Sequence, residues 1–232
     1  MVIDEVVGRD GCRTYRGKLG GRDCLLVQTG MGKERAESTT LRILESHPVT
    51  AIISLGFAGA LTPELAIGDV VVCSTVLCAS GFRKDEGELE AYAADASLLA
   101  LASSGPGDGA TRFCLGSSVT VPHVASSPQR KQELSRESHA QVVDMESYWI
   151  ARIASARRVP FIAIRSISDA MQHSLEPLDQ IMAPDGGLLW KRVVPYFLMH
   201  PQHLSTVFGS FGNMRRAKRN LATFVSHLVA RI

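Results

Sequence analysis

Along the first 170 residues, apolar runs of strand length alternate with stretches of helical periodicity. Alternation of this kind commits a chain to a sheet covered by helices on both faces. Residues 24–28 form a short apolar run closed by Thr29-Gly30-Met31-Gly32. The spacing of Ala36, Thr40, Ile43 and Leu44 predicts a helix over residues 33–46 that stops near Pro48. A continuous apolar strand over 49–55 breaks at Gly56-Phe57-Ala58-Gly59-Ala60, and Gly68-Asp69 opens another over 70–76. Residues 81–110 read as polar loop around an alanine-rich helix near 91–103, and 111–121 as a strand. Residues 128–138 read as a charged, exposed helix. An amphipathic helix over 145–158 carries Met145, Trp149, Ile150 and Ile153 on one side, and a buried strand over 160–167 ends at Ser168-Asp169. The fold class expected is α/β, a single domain with a mixed central sheet over residues 1–190. A basic helical extension follows over 191–232.

A chain of 232 residues is long enough to bury one sizeable core. Its hydrophobic fraction of 45% and charged fraction of 21% are those of an ordinary globular protein. No apolar run approaches the roughly 18 residues that span a bilayer. The start, Met-Val-Ile-Asp-Glu, lacks the basic and apolar segments of a signal peptide, so the expected location is cytoplasmic. Cys12, Cys24, Cys73, Cys78 and Cys114 are odd in number and show neither a C-x-x-C pair nor a zinc spacing. Cys24, Cys73 and Cys114 lie in strand-like runs, where a reduced thiol acts as a small hydrophobe. No metal or organic cofactor is expected. The net charge of +2 is divided unevenly: residues 191–232 hold seven cations and no acid, which leaves −5 for the rest.

In sheets of this class ligands bind beyond the carboxyl ends of the strands. Four such ends carry notable chemistry: 30–32, 56–59, 117–121 and 168–169. Asp169 directly follows a hydrophobic strand, where a carboxylic acid can protonate a leaving group if burial raises its pKa. Capping of a following helix explains the same position equally well. Asp144-Met145-Glu146 starts the amphipathic helix, and acids there suit the helix dipole. If Glu146 faces inward it needs donors, and a ribose diol supplies two. The glycine segments are singly weak signals, since close backbone approach serves a neighbouring strand as readily as a ligand.

Taken together, Thr-Gly-Met-Gly-Lys, Gly-Phe-Ala-Gly-Ala-Leu, Gly-Asp-Val-Val-Val, Asp-Met-Glu-Ser and Val-Pro-Phe-Ile-Ala-Ile-Arg-Ser-Ile-Ser-Asp occur in this order. Over about residues 12–170 the chain resembles the methylthioadenosine/S-adenosylhomocysteine nucleosidases of the purine nucleoside phosphorylase and nucleosidase superfamily. The resemblance implies the nucleoside phosphorylase fold and cleavage of the bond between a base and its ribose. It implies that Met145 and Glu146 contact ribose, with Glu146 on its 2′ and 3′ hydroxyls. Asp169 would protonate the purine at N7 and Ser168 would orient it, while Val119 and Val121 flank the base beside Gly56, Phe57 and Ala58. The mechanism implied is dissociative, with Asp169 and Glu146 as the catalytic pair.

Phosphorolytic relatives grip phosphate with an arginine and a serine at the strand-to-glycine turn, where this chain has Ser54 and Phe57. Neither supplies charge, so hydrolysis is favoured over phosphorolysis. Relatives open on a hydrophobic strand followed by a glutamate that activates water. This chain starts about twenty residues later, and Glu5 fits that role poorly. Ala183-Pro-Asp-Gly-Gly-Leu, Leu198-Met-His-Pro-Gln-His-Leu and the basic helix after them resemble the hopanoid-associated branch, which implies adenine removal from adenosylhopane. The rival substrates are those of methylthioadenosine/S-adenosylhomocysteine nucleosidase and of futalosine hydrolase. A degenerate member that binds a nucleoside without cleaving it is the non-enzymatic alternative. The expected partners are the nucleoside and a second copy in a homodimer. Leu221, Phe224, Val225, Leu228 and Ile232 recur at helical spacing. That stripe serves either packing on the protein itself or contact with the inner membrane surface, aided by Arg215, Arg216, Lys218 and Arg219. No nucleic-acid motif accompanies it.

Overall fold

The computed structural model describes residues 1–9, 12–79, 90–107, 109, 111–175 and 204–232. Three strands, β1 (Val2–Arg9), β2 (Cys12–Leu19) and β3 (Arg22–Gln28), form an antiparallel sheet in that order. Gly20 and Gly21, at φ 61° and 84°, join β2 to β3 in a two-residue turn. Left-handed backbone at both positions matches the twist of a hairpin and excludes most side chains. The sequence reading did not foresee β1; its Val2, Ile3, Val6 and Val7 are exposed and Glu5 pairs in register with Arg16.

The second sheet is the architectural centre, with strand order β6-β5-β7-β8-β4-β9. Its members are β4 (Ile52–Ala60), β5 (Val70–Cys78), β6 (Ala91–Ala93), β7 (Phe113–Thr120), β8 (Val142–Asp144) and β9 (Phe161–Asp169). One edge of β5 runs parallel to β7 along its length. Its other edge takes β9 antiparallel over Val70–Cys73 and then β6 over Thr75–Leu77. The β5–β9 pairing closes the sheet on itself, and full closure removes the free edges an open sheet leaves. The sheet is mixed, as expected.

Alternating side chains deliver the two faces to different helices. Val71, Cys73, Ala163 and Ile167 pack with Tyr148, Trp149 and Ile150 of α4 (Ser147–Ala156) and Ala36 of α1 (Lys33–Ser46). Val70, Val72, Ile162 and Ile164 pack with Leu98 of α2 (Ala96–Ser103) and with the C-terminal helix α5 (Leu204–Val229). The Lys33 ammonium lies 4.4 Å from the Trp149 ring centre, which adds a cation–π contact between α1 and α4. Leu221, Phe224, Val225 and Leu228 are all buried in the core beside the sheet. The stripe of α5 is thus an internal packing face, and only Ile232, beyond the helix, is exposed. Arg215, Arg216, Lys218 and Arg219 face outward. Among the described residues no helix is long and apolar enough to cross a membrane. Residues 183–203, which carry the motifs that resemble the hopanoid-associated branch, lie outside the described residues.

Four expectations need correction. The alanine-rich helix read near 91–103 starts at Ala96, because Ala91–Ala93 pair with β5 as strand β6. The strand read over 49–55 is β4, which runs on through Gly56 and Gly59 to Ala60, because the closed sheet supplies neighbours for those glycines. The helix read from Met145 starts at Ser147, since Asp144 is the last residue of strand β8. Helix α3 (Pro128–Ser138), read as exposed, buries Lys131, Leu134 and Ser138.

Candidate active site

The register of four adjacent strands sets out a row of residues near their C-terminal ends. Val119 of β7 lies opposite Val143 of β8, Val143 opposite Gly59 of β4, and Gly59 opposite Asp169 of β9. At about 4.8 Å between strands, Asp169 stands roughly 10 Å from the backbone of Val143. Met145 and Glu146 follow on the turn into α4. The β8–β4–β9 pairings thereby bring Asp169 and the Met145-Glu146 turn to the same end of the sheet.

The turn between β8 and α4 owes its shape to Asp144, which is buried and lies opposite Thr120 in the β7–β8 register. Its carboxylate accepts from Thr120 Oγ1 at 2.7 Å, from the Ser147 hydroxyl, and from the amides of Glu146 and Ser147 at 3.3 and 3.2 Å. Arg165 Nε donates to Asp144 Oδ2 at 2.7 Å, and the remaining guanidinium nitrogens donate to Ser54 O and Ser54 Oγ, each at 2.9 Å. Burial works to raise the Asp144 pKa. The Arg165 charge and the two hydroxyls outweigh it and hold the carboxyl below its ordinary range. Asp144 thus accepts the amides at the N-terminus of α4 and, through Arg165 and Thr120, also anchors the turn.

Glu146 immediately precedes α4 and is half-buried. Its Oε1 accepts from the Gly32 amide at 2.8 Å, at the N-terminus of α1. That bond draws the Thr29–Gly32 turn onto the glutamate across 114 residues of sequence. Burial pushes the Glu146 carboxyl above its ordinary range, aided by the Asp144 charge and opposed by the Gly32 amide. Met145, beside it, is half-buried and packs against the cluster of Leu61, Val119, Val121 and Val143.

Asp169 is buried as the last residue of β9, so it does not cap a helix. Ser168 Oγ donates to Asp169 Oδ1 at 2.8 Å. The Lys131 ammonium, brought by α3, pairs with Asp169 Oδ2. Of the glycine segment, Gly56 faces the Arg165 guanidinium, Phe57 is exposed and Ala58 is buried. The row thus gathers Val119, Gly59 and Asp169, while Gly56 backs onto the buried Arg165. Sequence reasoning missed Lys131 and Arg165. The signal for Lys131 was its place with Leu134 and Ser138 at i, i+3 and i+7, an inward stripe on an otherwise polar helix. Cys73 lies near this network, and burial pushes its thiol up to about 12, consistent with an inert packing role.

The sequence profile of the Phosphorylase superfamily matches residues 3–185. The chain belongs to that superfamily. Within the superfamily it is similar to a 5′-methylthioadenosine/S-adenosylhomocysteine nucleosidase from Baumannia cicadellinicola, at 32% identity over 68% of this chain and 73% of the relative. A Weissella paramesenteroides protein assigned as a methylthioadenosine nucleosidase shares the fold with a TM-score of 0.66 and 29% identity, covering 73% of this chain and 77% of that one. The native futalosine hydrolase of Helicobacter pylori has a TM-score of 0.75 at 19% identity, over 99% of this chain and 89% of that one, a likeness of fold. This member of the superfamily therefore has the nucleoside phosphorylase architecture that its motifs imply, with a nucleosidase-like sequence.

Proposed function

We propose that this chain hydrolyses the N-glycosidic bond of an adenine nucleoside, with Asp169 as general acid and Glu146 as the ribose ligand. The observation that supports the reading is the row Val119–Val143–Gly59–Asp169, with Asp169 at one end and the Met145-Glu146 turn leaving the strand of Val143, two strands away. Asp169, once it has taken up a proton from solvent, delivers it to N7 of the purine; the base leaves with the electron pair of the glycosidic bond and the carboxylate returns to its pair with Lys131. Glu146 holds the sugar while positive charge develops on it and stabilises that charge. Met145 and Val119 contact the nucleoside between them, Val121 and Ala58 flank the base, and Ser168 aligns the acid.

Water, rather than phosphate, attacks the anomeric carbon. The buried arginine nearest the glycine turn, Arg165, is already bonded to Asp144 and Ser54, and Phe57 offers an apolar ring where a phosphate ligand would stand. Adenine release with and without phosphate tests this. The expected rate is phosphate-independent, with a free reducing sugar as product, and formation of a sugar 1-phosphate would overturn it. Within this reading the finer substrate we propose is adenosylhopane, on the motifs of residues 183–204. Methylthioadenosine, S-adenosylhomocysteine and futalosine are the rivals in the same assay. Any contact with a membrane surface rests on Arg215, Arg216, Lys218 and Arg219, because the apolar stripe of α5 is occupied. A homodimer is the assembly proposed.

A further inference from the structure

Helix α3 is polar along most of its length, yet it drives one lysine fully into the protein: Lys131 has no exposed surface. An ammonium has three N–H donors. Those of Lys131 reach Asp169 Oδ2, the Ala170 carbonyl at 2.9 Å and the His173 carbonyl at 3.2 Å. The charge is therefore spent inside the protein, and none of it is left to ligate a substrate. Taking an ion pair out of water costs several kcal/mol per ion, and packed apolar residues often serve stability as well or better. The surroundings are suited to such residues, since Leu134 of the same helix sits in a cluster with Val121, Ala125 and Val143.

The neighbouring strands make room for the pair. A Cβ on Gly59 would stand 2.9 Å from Asp169 Oδ2 and 3.5 Å from Lys131 Cε. With Lys131 on Oδ2 and Ser168 Oγ on Oδ1, the Asp169 carboxylate is held in one plane from two sides. The same ammonium pins the turn after β9, and Leu175 N donates to Ser126 O at 2.7 Å, tying the far end of that turn to the segment before α3. Among the described residues that meet Asp169 (Lys131 from α3, Ser168 from β9, Gly59 from β4), the ammonium alone is charged.

We propose that Lys131 is a positioning residue for the acid: its buried ammonium fixes the Asp169 carboxylate and the following turn in the orientation that meets the base. This rests on the reading of Asp169 as general acid. Displacement of a catalytic group by about 1 Å can cost roughly 10²-fold in rate.

The test uses the full chain with methylthioadenosine as probe, at a temperature below the melting midpoint of every variant. Lys131→Met keeps much of the side-chain volume without the charge. We expect kcat to fall by about 10²-fold with KM changed far less. Lys131→Ala leaves a space where propylamine, but not propanol, should raise kcat in proportion to its concentration. Full kcat in a folded Lys131→Met protein, or equal rescue by amine and alcohol, would overturn the proposal. Asp169→Asn separates the two claims. If that variant turns over normally, the acid assignment fails; if it is inactive while Lys131→Met is fully active, Lys131 alone is misassigned. Should the lysine variants not fold, the lysine Nζ NMR signal of the wild type decides: saturation with adenine should shift the Lys131 resonance, and an unmoved resonance would overturn the proposal.

Discussion

Arg165 and Asp144 meet in the core with Nε 2.7 Å from Oδ2, each side chain no more than 2% exposed. The pair joins the middle of β9 to the end of β8, and through the Glu146 and Ser147 amides it shapes the turn that presents Met145 and Glu146. Removing one partner strands a buried charge. Arg165→Met should destabilise the fold by about 3–5 kcal/mol in urea titrations at pH 7. Because the Asp144 pKa is lowered on folding, its contribution is full above the unfolded value of about 3.9 and is lost as pH falls through the lower folded value. The wild type should keep this stabilisation at mildly acid pH. An Arg165→Met protein as stable as wild type would show that the pair does not anchor the turn.

Glu146 has the opposite displacement. Its carboxyl is raised by burial, so it takes up a proton above the ordinary glutamate value of about 4.3. A ribose ligand must be ionised to accept two hydroxyls, so kcat/KM should fall as pH drops through this raised value. Hydrogen bonds to a charged group contribute about 1.5–3 kcal/mol, and Glu146→Gln should lower kcat/KM by about 10²-fold and abolish that acid limb. An unchanged pH profile in Glu146→Gln would remove the residue from the site.

Asp169→Asn should reduce kcat by about 10²–10⁴-fold, the usual contribution of a positioned acid. The sequence alone suggests that folding is little affected, but the ion pair with Lys131 argues otherwise. A buried ammonium facing a neutral amide should cost stability, up to the about 3–5 kcal/mol of a broken buried pair. Differential scanning calorimetry beside the kinetic assay checks both halves.

Phe224 of α5 is 1% exposed and its ring centre lies 5.4 Å from that of Phe113. Phe224→Ala should destabilise the protein by about 3–5 kcal/mol. Neutralising exposed Arg219 should change stability by no more than about 0.5 kcal/mol. Comparable small effects from both would mean that α5 is not part of the core.

Residues 33–46 and 128–138 were legible to the residue as helices because apolar spacing, a proline at the start of one and a nearby proline beyond the other are local signals. The strand ending at Asp169 was equally plain, since it opens on the apolar run Phe161–Ile164 that a strand buried on both faces requires. The resemblance carried by the ordered motifs pointed to Glu146, Ser168 and Asp169, and each lies beside a strand or helix boundary written in neighbouring residues. Pairings between segments distant in sequence had no local signature. Nothing near Asp144 announces Arg165, and nothing near Asp169 announces Lys131, 38 residues earlier. A charged residue looks solvated in sequence, and only the tertiary structure supplies the buried partner that makes its burial tolerable. Closure of β5 onto β9 and the use of the α5 stripe as core were decided in the same way, by which surfaces meet once the chain is packed.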